Sequence, residues 1–148
     1  MATPAGRASS ERRNSGNDRK YFEGVGARPG LYGLDGSYKS AVMFLIGFDE
    51  ARLGGLLRGF TEWLVVRRGE CSGFGWQALV LDEALPGIGS WGWNKLDGST
   101  SEQEREAVDR LLSLLLDFLA VRDDVPALAR MYAQYHSLHA GVGDSGEE

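Results

Sequence analysis

The chain has 148 residues, of which 43% are apolar, and it contains four Trp, six Phe and five Tyr. This length and composition suffice for one domain with a continuous core, and they leave too little chain for a second full domain. The net charge of −5 disfavours a general nucleic-acid-binding surface, because affinity for phosphates comes largely from clustered Lys and Arg.

The cysteine content and the N-terminus indicate the compartment. Cys71 is the only cysteine, so no internal disulfide can form and a reducing cytoplasm is the expected location. Residues 1–20 contain no apolar segment of the kind that an export signal has. The longest apolar run, residues 41–46, is too short to cross a bilayer. We therefore expect a cytoplasmic protein without a membrane partner.

The N-terminal part differs in composition from the rest. Residues 1–36 are rich in Gly, Ser, Arg and Asn and have no apolar period, which predicts a flexible, disordered arm. Its basic side chains outnumber its acidic ones, so a regulator whose arm contacts nucleic acid is one alternative function. Leu31 and Tyr32 lie between glycines and are candidates to dock on the core just before it begins.

Residues 37–141 carry the apolar patterns of a helical domain. Ser37 is placed to cap a first helix that Gly47 would interrupt, with a short buried strand as the alternative. From Phe48 onward, apolar residues recur at i, i+3, i+4 and i+7, which predicts one continuous helix. The members of this stripe are Leu53, Leu56, Leu57, Phe60, Trp63 and Leu64.

Three glycines, at positions 54, 55 and 59, lie within this predicted helix. Each would cost a helix about 1 kcal/mol relative to alanine. Their presence therefore predicts that another backbone packs closely against this glycine-bearing face.

Two further helices are predicted from local signals at their ends. Apolar residues from Trp76 to Leu85 first predict a short helix that Pro86 ends. Residues 99–104 then hold three overlapping capping boxes, which predict the start of a long helix through Val121.

The last helix completes the predicted fold. Acidic residues at 123 and 124 and Pro126 predict its start, and Gly141 is placed to stop it. The sequence thus predicts an all-α fold, a compact array of four to five helices over residues 37–141. Residues 142–148 form a short acidic tail.

The central part of the chain contains a distinctive pattern. Its residues are Gly47-Phe48-Asp49, Gly55-Leu56-Leu57, Gly59-Phe60 and Glu62-Trp63-Leu64-Val65. This pattern resembles that of short bacterial helical proteins without an assigned activity. The resemblance extends over residues 38–140, and it implies no ligand or catalytic residue.

The strongest indication of catalysis is the sequence Gly69-Glu70-Cys71-Ser72-Gly73. It resembles the turn that presents a cysteine nucleophile, with His136 or His139 as the base. Such a turn requires a strand before the cysteine, whereas the preceding residues have a helical pattern. A cysteine in a glycine-rich loop is the favoured interpretation, and a Cys71-dependent hydrolase is an alternative function.

The same two histidines are the candidates for metal binding. His136 and His139 are three residues apart, so both side chains can reach one metal ion. A carboxylate from another helix, such as that of Asp109 or Asp117, would have to complete the site. Two imidazoles alone do not make a site, and we predict neither a metal nor a cofactor. The acidic pairs at 49–50 and 82–83 are candidates for acid–base chemistry, but solvated helix positions explain them more simply.

The loop over residues 87–98 is rich in glycine and contains Trp91 and Trp93. It has neither the preceding strand nor the lysine of a phosphate-binding loop. In an extended loop the two indoles point to opposite sides, so one can seal the core while the other meets a partner. The candidate partner-binding residues are Trp91, Trp93, Asn94 and Lys95, and simple packing of the loop over the core is the favoured alternative.

These features favour a non-catalytic protein-interaction module over an enzyme. A small acidic helical protein suits an immunity or antitoxin role, in which it covers a basic surface of its protein partner. The sequence predicts a protein partner and no nucleic-acid or membrane partner, and it does not define an oligomeric state.

Overall fold

A computed structural model describes residues 17–87, 92–93, 96 and 99–143, with side chains as far as residue 141. Within these residues the fold consists of six α-helices and one 3-10 helix and has no strand, which confirms the predicted all-α class. The helices are α1 (17–27), α2 (Tyr38–Ala51), α3 (Phe60–Arg68), α4 (Trp76–Ala84), α5 (Ser101–Arg122) and α6 (Val125–Gly143), and the 3-10 helix is Pro29–Tyr32.

Helix α5 lies at the centre of the array, because it packs against α2, α3, α4 and α6. Its buried residues point to more than one side, as the broad apolar face in the sequence indicates. They are Ala107, Val108, Leu111, Leu112, Leu114, Leu115, Phe118 and Leu119. The ring of Phe118 lies 5.4 Å from that of Phe60 and 6.0 Å from that of Trp63, so aromatic contacts join α5 to α3.

The helical domain begins before the predicted boundary at residue 37. Residues 17–36, which the sequence assigns to a disordered arm, instead contain α1 and the 3-10 helix. Phe22 and Val25 of α1 are fully buried. Besides Ala27, α1 has only three apolar residues, Tyr21, Phe22 and Val25, and it contains two glycines, so the sequence shows no recognisable period there. The prediction for residues 1–16 lies outside the described residues.

An aromatic cluster fixes α1 to α2. The ring of Phe22 lies 5.0 Å from that of Phe48, and the ring of Tyr21 lies 5.3 Å from that of Tyr32. Tyr32 packs against the core as expected, whereas Leu31 is 74% exposed and does not dock. Edge-to-face ring contacts of this kind add to the free energy of apolar burial.

Helix α2 begins where the sequence predicts. The hydroxyl oxygen of Ser37 accepts a hydrogen bond from the backbone N–H of Ser40 at 3.2 Å, which satisfies a donor of the first turn. The segment is helical, so the alternative of a buried strand is wrong. The predicted interruption at Gly47 is also wrong, because α2 continues to Ala51 and Gly47 lies on its exposed side.

The continuous helix predicted from Phe48 to Leu64 is wrong. Residues 52–59 form a turn-rich segment between α2 and α3. Leu53, Gly54 and Gly59 have φ values of 56°, 80° and 92°, a left-handed conformation that a helix cannot contain. The stripe of apolar residues therefore lies partly in this turn-rich segment and partly in α3, whereas Phe48 belongs to α2.

The glycines of this segment do not make the predicted contact with the backbone of another helix, because the backbone atom next to an added Cβ at Gly55 is the carbonyl oxygen of Arg52 in the same turn, at 3.0 Å. A Cβ atom at Gly59 would lie 2.8 Å from the hydroxyl oxygen of Tyr132, which is a side-chain neighbour. The carboxylate of Asp49 closes the segment by accepting hydrogen bonds from the backbone N–H groups of Leu56 and Leu57, at 3.1 and 2.8 Å. The glycines thus permit a chain reversal that a side-chain carboxylate stabilises.

Helices α4 and α5 follow the predictions. Helix α4 ends at Ala84, two residues before Pro86. Thr100 and Gln103 form one of the predicted capping boxes, with each side chain accepting a hydrogen bond from the other residue's backbone N–H.

Helix α6 starts as predicted but ends later. The carboxylate of Asp124 accepts a hydrogen bond from the backbone N–H of Ala127 at 3.2 Å, which caps the first turn. Gly141 does not stop the helix, because α6 continues to Gly143. The remaining residues of the predicted tail, 144–148, lie outside the described part of the chain.

Candidate functional site

A groove with a largely apolar lining runs along the surface between α3 and α6. It consists of two cavities of about 340 and 510 Å³, which meet because both include Val66 and Gln134. Its α6 wall extends from Ala127 to Leu138, a length of about 17 Å at 1.5 Å per helical residue. The main apolar lining residues are Trp63, Val66, Val121, Met131, Ala133 and Leu138.

Helical spacing on both walls builds this α3/α6 groove. On α3, Trp63 and Val66 are three residues apart and share one edge of the helix. On α6, Arg130, Gln134 and Leu138 follow one another at intervals of four residues. Since α3 packs directly against α6, these two rows face each other across the groove.

Two arginines give one end of the groove a positive rim. Arg67 of α3 contacts Glu83 at 2.8 Å, and the hydrogen bond to that carboxylate raises the pKa of Arg67 above its ordinary value. Arg130 of α6 is exposed and has no ion-pair partner in the described part of the chain. No described acidic residue lines either cavity. Because Arg67 is paired with Glu83 and also interacts with the charge of Asp117, Arg130 carries the unpaired positive charge at this end of the groove, although the whole chain has a net charge of −5.

Cys71 lies in the loop between α3 and α4, close to the end of this groove. Its half-buried thiol donates a hydrogen bond to the carbonyl oxygen of Leu138 at 3.2 Å. Helix α3 precedes the loop, at the place where a nucleophile turn requires a strand. His136 and His139 are exposed on α6, and the ring of His139 lies 4.5 Å from that of Tyr135. The structure therefore connects Cys71 to the α6 backbone and shows no hydrogen bond from its thiol to a described imidazole.

The proposed third metal ligand does not accompany the two histidines. Asp109 and Asp117 are exposed on α5. Among the residues that the structure describes, no group of three His, Cys, Asp or Glu side chains is arranged to hold a metal ion.

The acidic pair at positions 82 and 83 is engaged in ion pairs on the surface. Asp82 contacts Arg68 at 3.1 Å. Glu83 contacts Arg67 at 2.8 Å and Arg110 at 3.7 Å. These carboxylates link α4 to α3 and α5, which accounts for them without acid–base chemistry.

Of the predicted partner-binding residues, Trp93 alone lies within the described part of the chain. Trp91, Asn94 and Lys95 lie outside it. Trp93 is half-buried and packs against the core, which matches the core-sealing role that the sequence predicts for one of the two indoles.

Sequence reasoning did not identify the α3/α6 groove. Trp63 and Met131 belong to apolar stripes that the sequence assigns to the core, and Met131 is indeed buried whereas Trp63 is half-buried. Spacing shows which side of a helix is apolar, but the packing of neighbouring helices decides how much of that side they cover.

Within the described residues, no helix has both the length and the apolar character needed to span a membrane. Comparisons of the chain with protein-family models, with curated proteins and with solved structures gave no match. A function must therefore be inferred from the structure itself. Its relevant features are the α3/α6 groove, the charges around it and the loop of Cys71.

Proposed function

We propose that this protein is a non-catalytic protein-interaction module that binds its partner in the α3/α6 groove. The groove itself carries the proposal, because it leaves apolar side chains partly open to water between two packed helices. A partner that covers these side chains gains the free energy of apolar burial. Trp63, half-buried in the wall, belongs to the residue types that contribute most to interface energies.

A structural role for Cys71 fits this proposal. Its hydrogen bond to Leu138 ties the loop after α3 to α6, and Gly69 of that loop and Leu138 both line the groove. The loop thus holds the two walls together at one end.

An immunity or antitoxin protein is one class that works in this way, since its binding blocks an active surface of its partner. This finer assignment stays a prediction from the size and net charge of the chain, and it does not follow from the groove. It requires that the partner be toxic when produced alone and harmless when produced together with this protein.

Site-specific photo-crosslinking in the native host tests the proposal. A photoreactive phenylalanine analogue replaces Ala133, which is exposed and lines the groove, or Ala120, which is exposed on α5. We expect a discrete covalent adduct with one protein from position 133 and none from position 120, with the adduct identified by mass spectrometry. The absence of an adduct at position 133, or the same products at both positions, would contradict the proposal.

A further inference from the structure

We infer that the partner segment in the α3/α6 groove is an amphipathic α-helix of about three turns that carries acidic side chains at one end. This inference rests on the proposed function and specifies the occupant of the same groove. The shape of the groove and the uneven distribution of charge along it support the two halves of the inference.

The shape of the groove suits a helix. Its length of about 17 Å matches about three helical turns of 5.4 Å each. Both walls are helices, and the described residues include no strand whose edge an extended peptide could join. Ala133 and Ser137 on the α6 wall are small, so the backbone of a partner helix can approach closely. The recognition mode is therefore a helix in a groove, with apolar anchors at i, i+3 or i+4, and i+7.

The charge of the groove is confined to one end. The cavity beside Val121 and Ala127 includes Arg67 and Arg130, whereas the cavity beside Gly69 has no charged lining residue. Arg67 already forms an ion pair with the carboxylate of Glu83. The positive charge without an acidic partner is therefore that of Arg130. The partner helix therefore has acidic side chains where it meets Arg130 and apolar ones towards Gly69.

The net negative charge of the chain does not oppose this pairing. At physiological salt, interactions between exposed charges are largely screened beyond about 8 Å. Contacts between Arg130 and an adjacent carboxylate are much shorter than this distance, so the local charge determines which peptide the groove prefers.

Selection from a phage-displayed library of random 16-residue peptides against the full-length chain tests the inference without assuming a partner. We expect the enriched peptides to have apolar residues at i, i+3 or i+4, and i+7, with Asp or Glu clustered at one end. A synthetic enriched peptide then serves as the probe, and its dissociation constant is measured by fluorescence anisotropy.

Variants of the groove locate the binding. Gln134→Trp fills the groove where its two cavities meet, and we expect it to weaken peptide binding at least about tenfold. Ala129→Trp is the matched control, because Ala129 is exposed on the same helix and does not line the groove. Arg130→Glu should weaken binding about fivefold, whereas Arg130→Lys should retain it. Circular dichroism and thermal unfolding establish that each variant is folded.

Several results would overturn the inference. These are no enrichment, enrichment of basic or proline-containing extended peptides, and a dissociation constant that Gln134→Trp leaves unchanged. A dimer in sedimentation velocity that Gln134→Trp dissociates would identify a second copy of the chain as the occupant instead. If Ala133 crosslinks to a protein whose contacting segment is neither helical nor acidic, the inference fails while the proposed function stands. If no adduct forms, the proposed function itself fails.

Discussion

The carboxylate of Asp18 in α1 lies 2.9 Å from the guanidinium group of Arg52, and the Asp18 side chain is only 4% exposed. Arg122, the last residue of α5, contacts the same carboxylate at 3.4 Å and donates a hydrogen bond to the carbonyl oxygen of Gly55 at 3.0 Å. One carboxylate thus joins α1, the segment after α2 and the end of α5. Breaking such a pair leaves uncompensated charge at a poorly solvated site.

We expect Asp18→Asn to lower the free energy of unfolding by about 2 kcal/mol. The amide keeps the shape of the side chain, but Arg52 loses its counter-charge, and Arg122 keeps only its ion pair with Asp123 at 3.1 Å. The effect stays below that of a fully buried pair, because Arg52 is 39% exposed and water solvates it in part. Urea denaturation followed by circular dichroism measures the change.

Glu23→Gln is the matched control for Asp18→Asn. Glu23 lies on the same helix, and its side chain is exposed. Its replacement should change the free energy of unfolding by less than about 0.5 kcal/mol. Equal effects of the two substitutions would show that the buried carboxylate of Asp18 does not anchor α1.

Two glycines with opposite environments give a second prediction. Gly59 has a φ of 92°, and an added Cβ atom would lie 2.8 Å from the hydroxyl oxygen of Tyr132. Gly47 lies inside α2 and has nothing within 4 Å of an added Cβ. Gly59→Ala should therefore destabilise the fold by about 2 kcal/mol through backbone strain and contact. Gly47→Ala should stabilise it by up to about 1 kcal/mol through its helix propensity.

Urea denaturation of both alanine variants shows whether each substitution lowers or raises the free energy of unfolding. Tyr132→Phe in the Gly59→Ala background removes the hydroxyl group and should restore the stability that is lost to this contact. The loss that comes from backbone strain at φ 92° should remain. Changes of the same sign in Gly59→Ala and Gly47→Ala would mean that φ and local space do not distinguish these positions.

The helices of the C-terminal half could be predicted because their signals are local. The capping box of Thr100 and Gln103 and the cap at Asp124 are formed by residues three positions apart. The break after Ala51 could not be predicted in the same way. Leu56 inside the turn-rich segment and Phe60 at the start of α3 keep a helical spacing of four residues, and both are buried. A glycine pair is equally compatible with close helix packing and with a left-handed turn.

Helix α1 and the groove depend on contacts that are distant in sequence. Asp18 meets Arg52 and Arg122 across 34 and 104 positions, and no spacing rule relates these residues. The α3/α6 groove likewise arises from the way two helices pack, so the sequence shows the apolar stripes but not which of their edges remain open.

Tyr38 gives a prediction that depends on pH. Its side chain is fully buried, and its hydroxyl group donates a hydrogen bond to the carbonyl oxygen of Gln77 at 2.6 Å. Burial raises the pKa of Tyr38 above its ordinary value of 10. The neutral phenol is thus favoured in the folded state, so its contribution to stability is complete below pH 10. This contribution is lost as the pH rises further, because the unfolded phenol then ionises.

We expect Tyr38→Phe to lower the free energy of unfolding by about 1 kcal/mol at neutral pH, because the carbonyl group of Gln77 loses its partner. The variant should also lose less stability between pH 9 and 11 than the parent protein does. Urea denaturation across this pH range measures both effects. Tyr21→Phe is the control, since Tyr21 is 37% exposed. A parent-like alkaline decline in Tyr38→Phe would show that Tyr38 is not its source.

The thiol of Cys71 gives the last prediction, because it distinguishes a structural cysteine from a nucleophile. Alkylating agents must reach the sulfur atom, and the thiol of Cys71 is half-buried and hydrogen-bonded to the carbonyl oxygen of Leu138. We expect iodoacetamide to modify the native protein at least about tenfold more slowly than the urea-unfolded chain at the same pH. The rate should rise in parallel with unfolding. Faster modification of the native protein would instead indicate an activated thiolate, and would favour the alternative function of a Cys71-dependent hydrolase.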